Sequence, residues 1–212
     1  WVVFAAPPIQ PNTAHAEDVS IRNCPPVLAL TLPKEFRPIE RAPEIVETLS
    51  ANPNRQTHYA VAFTSRSLGE DAVGGRPYIA IGTLGAVLNK QGRLKRSDFD
   101  SVRAVARKTK DEIPPEAQKY ANRLSEGLRS LHGSDAPIVD KPIPLAYMEP
   151  DDHSFVTVVL VSGTVRGEKF YYYSFARMIF VRSCLVYVHG AVPLSLISLA
   201  RVSEIASELD VR

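Results

Sequence analysis

The stretch SFVTVVLV at residues 154–161 is followed by the turn RGEK at residues 166–169 and by the aromatic run FYYYSF at residues 170–175. β-Branched and aromatic residues of this kind are enriched in strands. The first run is apolar on both of its alternating faces, which is typical of a strand in the centre of a sheet. Because only a short turn separates the two runs, the pattern predicts an antiparallel pair of strands.

Further strands and helices are predicted on both sides of this pair. Apolar residues three or four positions apart predict helices over residues 97–113, 115–131 and 196–209, and residues 43–49 fit one or two helical turns. Ser97 with Asp100 three residues later resembles a capping box at the start of the first long helix. The remaining predicted strands cover residues 27–32, 59–64, 78–84, 178–181 and 185–189.

The order of these elements predicts an α+β fold with a mostly antiparallel sheet flanked by helices. Strands and helices do not alternate regularly, which argues against a doubly wound nucleotide-binding fold. Neither a P-loop nor a G-x-G-x-x-G fingerprint occurs in the sequence.

Composition places the chain among ordinary globular proteins. Its 212 residues are 45% hydrophobic and 23% charged, and they favour one domain over two small ones. The formal net charge of +2 is too small to indicate nucleic-acid binding. Disorder, collagen-like repeats and disulfide-rich miniproteins are excluded.

The N-terminal segment has the features of a secretory signal. Residues 1–6 are apolar, and Ala14-His15-Ala16 before Glu17 matches a signal-peptidase cleavage pattern. We therefore expect residues 1–16 to be the remnant of a signal peptide and residues 17–212 to form one α+β domain; a flexible N-terminal arm is the alternative. No later run is long enough to span a bilayer, so the expected product is soluble and periplasmic or secreted.

Two cysteines, Cys24 and Cys184, are compatible with export. An even number of cysteines permits a disulfide in an oxidising compartment. The alternative is two separately buried thiols, because cysteine often serves as a small hydrophobic residue. No C-x-x-C redox pair is present.

The element order also resembles that of the PsbP-like superfamily. The resemblance is carried by the early strand that ends in LPKEF at residues 32–36, by the late strand LVYV at residues 185–188, and by the closing helix over residues 195–209. It implies an antiparallel sheet flanked by helices and a role in binding or assembly without catalysis. The two predicted helices over 97–131 are bulkier than the single central helix of that superfamily, and no functional residue carries over.

Two groups of residues could support chemistry. Asp151, Asp152 and His153 offer metal-ligating groups, but no H-E-x-x-H or EF-hand spacing surrounds them, and an exposed acidic loop is the alternative. His189 follows a predicted strand and could be a catalytic base, although no G-x-S-x-G elbow accompanies it; a half-buried strand residue is the alternative. His58 and His132 have less sequence context.

Two further patterns could form binding surfaces. The basic residues between positions 93 and 110 are interleaved with acids, which favours the solvated outer face of a helix over an anion-binding surface. The aromatic run places Tyr171, Tyr173 and Phe175 on one face of its strand, with Phe170 and Tyr172 on the other. We expect core burial, with a docking surface as the alternative. The basic cluster comprises Arg93, Lys95, Arg96, Arg103, Arg107, Lys108 and Lys110.

Taken together, these patterns predict an exported, non-catalytic binding or accessory module. The alternative is a small exported hydrolase that uses His189 or the Asp151–His153 cluster. A third hypothesis is a protein partner of an envelope complex, which would dock through an aromatic or basic face. The sequence assigns no catalytic, cofactor-binding or metal-binding residue, and it indicates no cofactor.

Overall fold

The computed structural model describes residues 16–19, 24, 28–33, 36, 39–50, 57–65, 68–69, 76–84, 94–110, 122, 125 and 137–211. The helices whose bounds fall in this part of the chain are α1 (Pro43–Ser50), α2 (Arg96–Lys108) and α3 (Leu199–Glu208). The strands are β1 (Ala16–Val19), β2 (Leu28–Thr31), β3 (Ile39–Arg41), β4 (Thr57–Ser65), β5 (Tyr78–Leu84), β6 (Ile138–Val139), β7 (Ile143–Asp151), β8 (Ser154–Val165), β9 (Glu168–Val181), β10 (Cys184–Pro193) and β11 (Asp210–Val211).

The main sheet has eight strands and contains the predicted antiparallel pair. Its order is β3-β4-β5-β10-β9-β8-β6, and β7 also pairs with β8. Every pairing in this sheet is antiparallel. The predicted α+β fold with a mostly antiparallel sheet is therefore confirmed. A smaller three-stranded sheet joins β1, β2 and β11.

A disulfide joins the N-terminal part of the chain to the main sheet. Cys24 and Cys184 are bonded, with their Cα atoms 5.4 Å apart, as disulfide geometry requires. Cys184 is buried in the core, and the bond closes a loop of 160 residues. In the chain-entropy model a closed loop of that length stabilises a fold by about 5 kcal/mol.

The main sheet has two faces, which we name after the helices that cover them. On the α3 face, Val186 and Val188 of β10 pack with Phe175 of β9 against Val202 and Ile205 of α3. On the α2 face, Leu185 packs with Phe99 of α2, and α1 covers the β4–β5 end of this face through a separate cluster of apolar residues. Residues directly opposite in an antiparallel pair share a face, so the registers assign the paired residues of this sheet to one side or the other.

Several boundaries differ from the predictions. Helix α2 begins at Arg96, one residue before the predicted start, and its first turn is capped by Asp98, whose carboxylate accepts a hydrogen bond from the Lys95 amide at 3.0 Å. The predicted capping pair, Ser97 and Asp100, is therefore wrong. The final helix begins at Leu199 and not at residue 196, because residues 194–197 form a turn after Pro193.

The strands are also longer and more numerous than predicted. Residues 170–175 and 178–181, predicted as separate strands, belong to one continuous strand, β9. Strand β7 was not predicted, because Pro144 and Pro150 weaken its strand pattern. The predicted helix over residues 115–131 lies outside the described residues, except for Asn122 and Ser125, which are helical.

Candidate ligand-binding cleft

Helix α2 lies on the sheet through an aromatic contact. Phe99 is fully buried, and its ring centre lies 5.9 Å from that of Phe155 and 5.7 Å from that of Phe180. The backbone amide of Leu94, just before the helix, donates a 3.1 Å hydrogen bond to the carbonyl of Ser183 in the β9–β10 turn. These contacts fix the N-terminal half of α2 above the ends of β8, β9 and β10.

Three arginines attach one flank of α2 to the β7–β8 hairpin. Arg96 and Arg103 donate to the backbone carbonyl of Asp152, and Arg107 forms a bidentate pair with Glu149. The hydrogen bonds from Arg107, together with one from Tyr147, lower the pKa of Glu149 to about 2. The prediction that the basic cluster is a solvated outer face therefore holds for Arg107, whose side chain is 58% exposed, and is wrong for Arg103, whose side chain is 19% exposed. Arg93 lies outside the described residues.

The predicted Asp151–His153 cluster forms a structural turn at the tip of this hairpin. Asp151 accepts hydrogen bonds from the His153 backbone amide at 2.7 Å and from the Ser154 hydroxyl at 2.8 Å. His153 presents its ring to Arg96, with Nδ1 2.7 Å from the guanidinium. Among the residues that the structure describes, no group of three or more His, Cys, Asp or Glu side chains could hold a metal ion.

The buried guanidinium of Arg177 links this turn to helix α3. Arg177 lies on the α3 face of β9, and its side chain is 4% exposed. One of its nitrogens donates to the carbonyls of Ser207 and Leu209 at the C-terminal end of α3, and another lies 3.1 Å from Asp151. Burial alone would raise the pKa of Asp151, but the hydrogen bonds from Ser154 and His153, with the charge of Arg177, hold it below its usual value.

A cleft opens along the other flank of α2, between the helix and the sheet. Its volume is about 420 Å³, which is within the range of small-molecule sites. The lining is mostly apolar, and Val105 on the helix side is 61% exposed. We call this space the α2 cleft. The described residues that line it are Ser101, Val102, Val105 and Ala106 of α2 with Phe155, Thr157, Ala176 and Met178 of the sheet.

His189 lies beside the α2 cleft on the same face of the sheet. It is directly opposite Ala176, one of the cleft residues. Its Nε2 is 3.0 Å from the Ser174 hydroxyl, and its Nδ1 is 3.4 Å from the Tyr78 hydroxyl. The rings of Tyr78 and Tyr187 lie 5.6 and 6.3 Å from the imidazole. We call Ser174, His189 and Tyr78 the hydroxyl–histidine cluster.

The environment of His189 makes it a weak catalytic base. Burial lowers the pKa of His189 to about 4, so the imidazole is neutral at pH 7 and has little affinity for a proton. The group that faces Nδ1 is the hydroxyl of Tyr78 and not a carboxylate. Because Ser174 lies in the interior strand β9, paired with Val159 on one side and Ala191 on the other, its neighbouring amides serve the sheet ladder and are not free to form an oxyanion hole.

The aromatic run divides between core and surface. Phe175 is buried on the α3 face, and Tyr173 packs partly against the same core. Tyr171, on that face, is 44% exposed, whereas Phe170 and Tyr172 are half-buried on the α2 face. The expectation of core burial therefore holds for Phe175 and fails for Tyr171.

Tyr171 belongs to an exposed apolar patch on the α3 face, beyond the part that α3 covers. Ile138 and Ile143 are 53% and 51% exposed at the sheet edge, and Leu194 is 41% exposed beside Tyr171. Ile138 is opposite Thr164, Ile143 is opposite Leu160, and the Leu194 amide donates to the Tyr171 carbonyl. These registers place the four side chains on one face. We call Ile138, Ile143, Tyr171 and Leu194 the Tyr171 patch.

His58 is an exposed residue of β4, and His132 lies outside the described residues. Residues 1–15 of the predicted signal remnant also lie outside the described residues, and Ala16 begins β1. None of the described helices is long and apolar enough to cross a membrane.

Sequence comparisons leave the family of this chain open. Neither a protein-family model nor a curated protein matches it. The PsbP-like resemblance stays a prediction.

The sequence did not single out Ser174 or Ala176 as site residues. Each is a small residue inside a strand pattern, and neither lies in a catalytic motif. Their importance depends on the register of β9 against β10, which places Ala176 opposite His189. The sequence holds one weak signal for this site, because Ser174 is the one residue without an aromatic ring in the run over 170–175.

Replacing Arg177 by Met should lower the free energy of unfolding by about 3–5 kcal/mol, because it leaves the α3 carbonyls and Asp151 without their buried partner. Asp151→Asn should cost less, since Asp151 is half-exposed. The matched control is Arg201→Met, which removes exposed ion pairs on α3 and should cost no more than about 1 kcal/mol. Urea unfolding monitored by circular dichroism measures all three. Equal losses for Arg177→Met and Arg201→Met would contradict this account.

Proposed function

We propose that this chain is an exported, non-catalytic binding module that holds a small apolar molecule in the α2 cleft. The observation that carries the proposal is the cleft itself, an apolar space of about 420 Å³ between α2 and the sheet. Clefts of this size with apolar walls and a few polar groups are the usual form of small-molecule sites. Removing apolar ligand surface from water supplies the driving force.

The anchoring of α2 supports this assignment. The arginine flank and the Phe99 cluster, on which Val102 and Ala106 also pack, hold the helix on the sheet, and Val105 at the cleft stays exposed. A wall held in this way does not need to be ordered by the ligand, which reduces the entropic cost of binding. The helix thus forms a fixed wall of the cleft.

A periplasmic or secreted location forms part of the proposal. The Cys24–Cys184 disulfide supports it, because such bonds persist in oxidising compartments. The signal-like pattern that ends at Ala16 supports it as well. The resemblance to the PsbP-like superfamily implies the same class of role, binding without catalysis.

Filling the cleft should abolish binding of an apolar probe. We expect wild-type protein to bind Nile red saturably, and Ala176→Phe and Ala106→Phe each to weaken this binding at least tenfold by occupying the space from the sheet side and from the helix side. Ala104→Phe is the matched control, because Ala104 is exposed on the same helix outside the cleft lining. Fluorescence titration gives the dissociation constants, and thermal melts confirm folding. Unchanged binding in both filled variants would overturn the proposal.

The alternative of a small hydrolase is favoured by one observation, the 3.0 Å contact between Ser174 and His189. The lowered pKa of His189 and the paired backbone around Ser174 argue against it. We therefore expect the wild-type protein to hydrolyse a panel of p-nitrophenyl esters no faster than the Ser174→Ala variant does. Turnover that disappears in both Ser174→Ala and His189→Gln would establish the hydrolase instead.

A second candidate function, assembly, is favoured by the Tyr171 patch. Exposed apolar patches rimmed by polar residues mark protein interfaces. We infer that the occupant is a second copy of this chain. Asp140 at the sheet edge and Lys169 two strands away lie on the same face, so a two-fold arrangement can place each acid against the other copy's base.

Sedimentation velocity over a range of concentrations tests this assembly. We expect a weak, concentration-dependent dimer that Tyr171→Asp abolishes, with Val105→Asp as a control for a charge introduced at an exposed apolar position on the opposite face. A chain that stays monomeric at the highest concentration would exclude the second copy as the occupant. A dimer that persists in Tyr171→Asp would exclude the Tyr171 patch as the dimer interface.

A further inference from the structure

The floor of the α2 cleft continues into the hydroxyl–histidine cluster. Ala176 lies in the cleft, and Ser174 is two residues away on β9, on the same face. Two residues along a strand correspond to about 7 Å. His189 borders both, because it is opposite Ala176 and its ring reaches Ser174. Ser101 and Thr157 are the polar residues of the described lining itself, and the Ser101 hydroxyl already donates to the Ser97 carbonyl. A molecule that extends along the floor past Ala176 also comes within reach of Ser174.

Ser174 retains hydrogen-bonding capacity in either tautomer of His189. A neutral imidazole carries one donor and one acceptor nitrogen, and a serine hydroxyl offers one donor and two acceptor sites. If Nε2 carries the proton, Ser174 accepts from it and its own O–H remains to donate to a ligand. If Nδ1 carries the proton, Ser174 donates to Nε2 and its lone pairs remain to accept from a ligand. In both cases Ser174 can bind a ligand hydroxyl, and in the first case also a carbonyl.

The uncharged surroundings of the cleft disfavour an ionised group on the ligand. Among the described residues that line the cleft or form the hydroxyl–histidine cluster, none carries a charged side chain at pH 7. A carboxylate or ammonium group placed there would lose its hydration without gaining an opposite charge. The three arginines lie on the opposite flank of α2, against the hairpin. Lys108 is exposed near the end of the helix and could attract an anion, so the test below includes an anionic ligand.

We propose that the ligand is a neutral amphiphile whose apolar body fills the α2 cleft and whose single uncharged oxygen, from an alcohol or a ketone, hydrogen-bonds to Ser174. This inference rests on the proposed function, because it assigns the polar end of the molecule that the cleft holds. His189 and Tyr78 act as positioning residues that hold the serine hydroxyl in place. The selectivity against charged ligands comes from the lack of an opposite charge among the described residues around the cleft, and the hydroxyl provides the partner for the neutral oxygen.

Displacement of Nile red by three molecules with the same ten-carbon tail tests the assignment. We expect 1-decanol to bind at least tenfold more tightly than decanoate or decylammonium. Ser174→Ala should weaken decanol binding about five- to tenfold, which corresponds to one hydrogen bond. The dissociation constant of Nile red is measured separately in each variant, so that every displacement curve is referred to its own baseline.

The matched control is Ser101→Ala. Ser101 also lines the cleft, but its hydroxyl donates to the Ser97 carbonyl within α2, so its removal should not affect decanol. If decanol and decanoate bind equally, or if the two serine variants behave alike while Ala176→Phe still blocks Nile red, the assignment of the polar end fails and the binding function stands. If Ala176→Phe and Ala106→Phe both leave Nile red binding intact, the binding function and the assignment of the polar end both fail.

Discussion

The buried guanidinium of Arg177 is the contact on which the arrangement of the helices depends. From the middle of β9 it binds the last carbonyls of α3 and the carboxylate of Asp151, and so joins the C-terminal helix to the tip of the β7–β8 hairpin. A charge this deep is tolerated only because each contact is a hydrogen bond to an oxygen. The same hairpin receives Arg96, Arg103 and Arg107 from α2. The positions of both helices thus depend on one turn.

This arrangement gives the two faces of the sheet different roles. On the α3 face, the helix and the small sheet complete a core of buried apolar residues, and the Tyr171 patch is exposed beyond it. On the α2 face, the helix is held at one flank and leaves the cleft at the other. The arginine contacts of α2 lie on the flank opposite the cleft, so a ligand can occupy the cleft without disturbing these ion pairs. Val102 and Ala106 of the lining also pack on the cluster around Phe99.

Much of the fold was predictable, because it follows from local pattern. Residues 78–84 form a strand with the predicted bounds, and the apolar stripe that includes Val202, Ile205 and Ala206 is the buried side of α3. The site was not predictable, because it depends on which residues meet across strands. Asp151–His153 has the composition of a metal site, yet it is the tip of a hairpin that binds arginines. Ser174 and His189 are 15 residues apart, and only the β9–β10 register brings them together. Arg177 gives no signal of burial in a sequence without a structure.

The two methionines of this chain provide a direct test of whether the α2 cleft binds a small apolar molecule. Met178 lines the cleft, whereas Met148 packs against the core on the opposite face. If both methionine methyl groups are labelled with carbon-13, a titration with 1-decanol can be followed by NMR in a spectrum that contains two methyl signals. We expect a saturable shift of the Met178 signal with little change at Met148. Equal shifts at both methyl groups, or a Met178 signal that does not move while decanol is in excess, would contradict it.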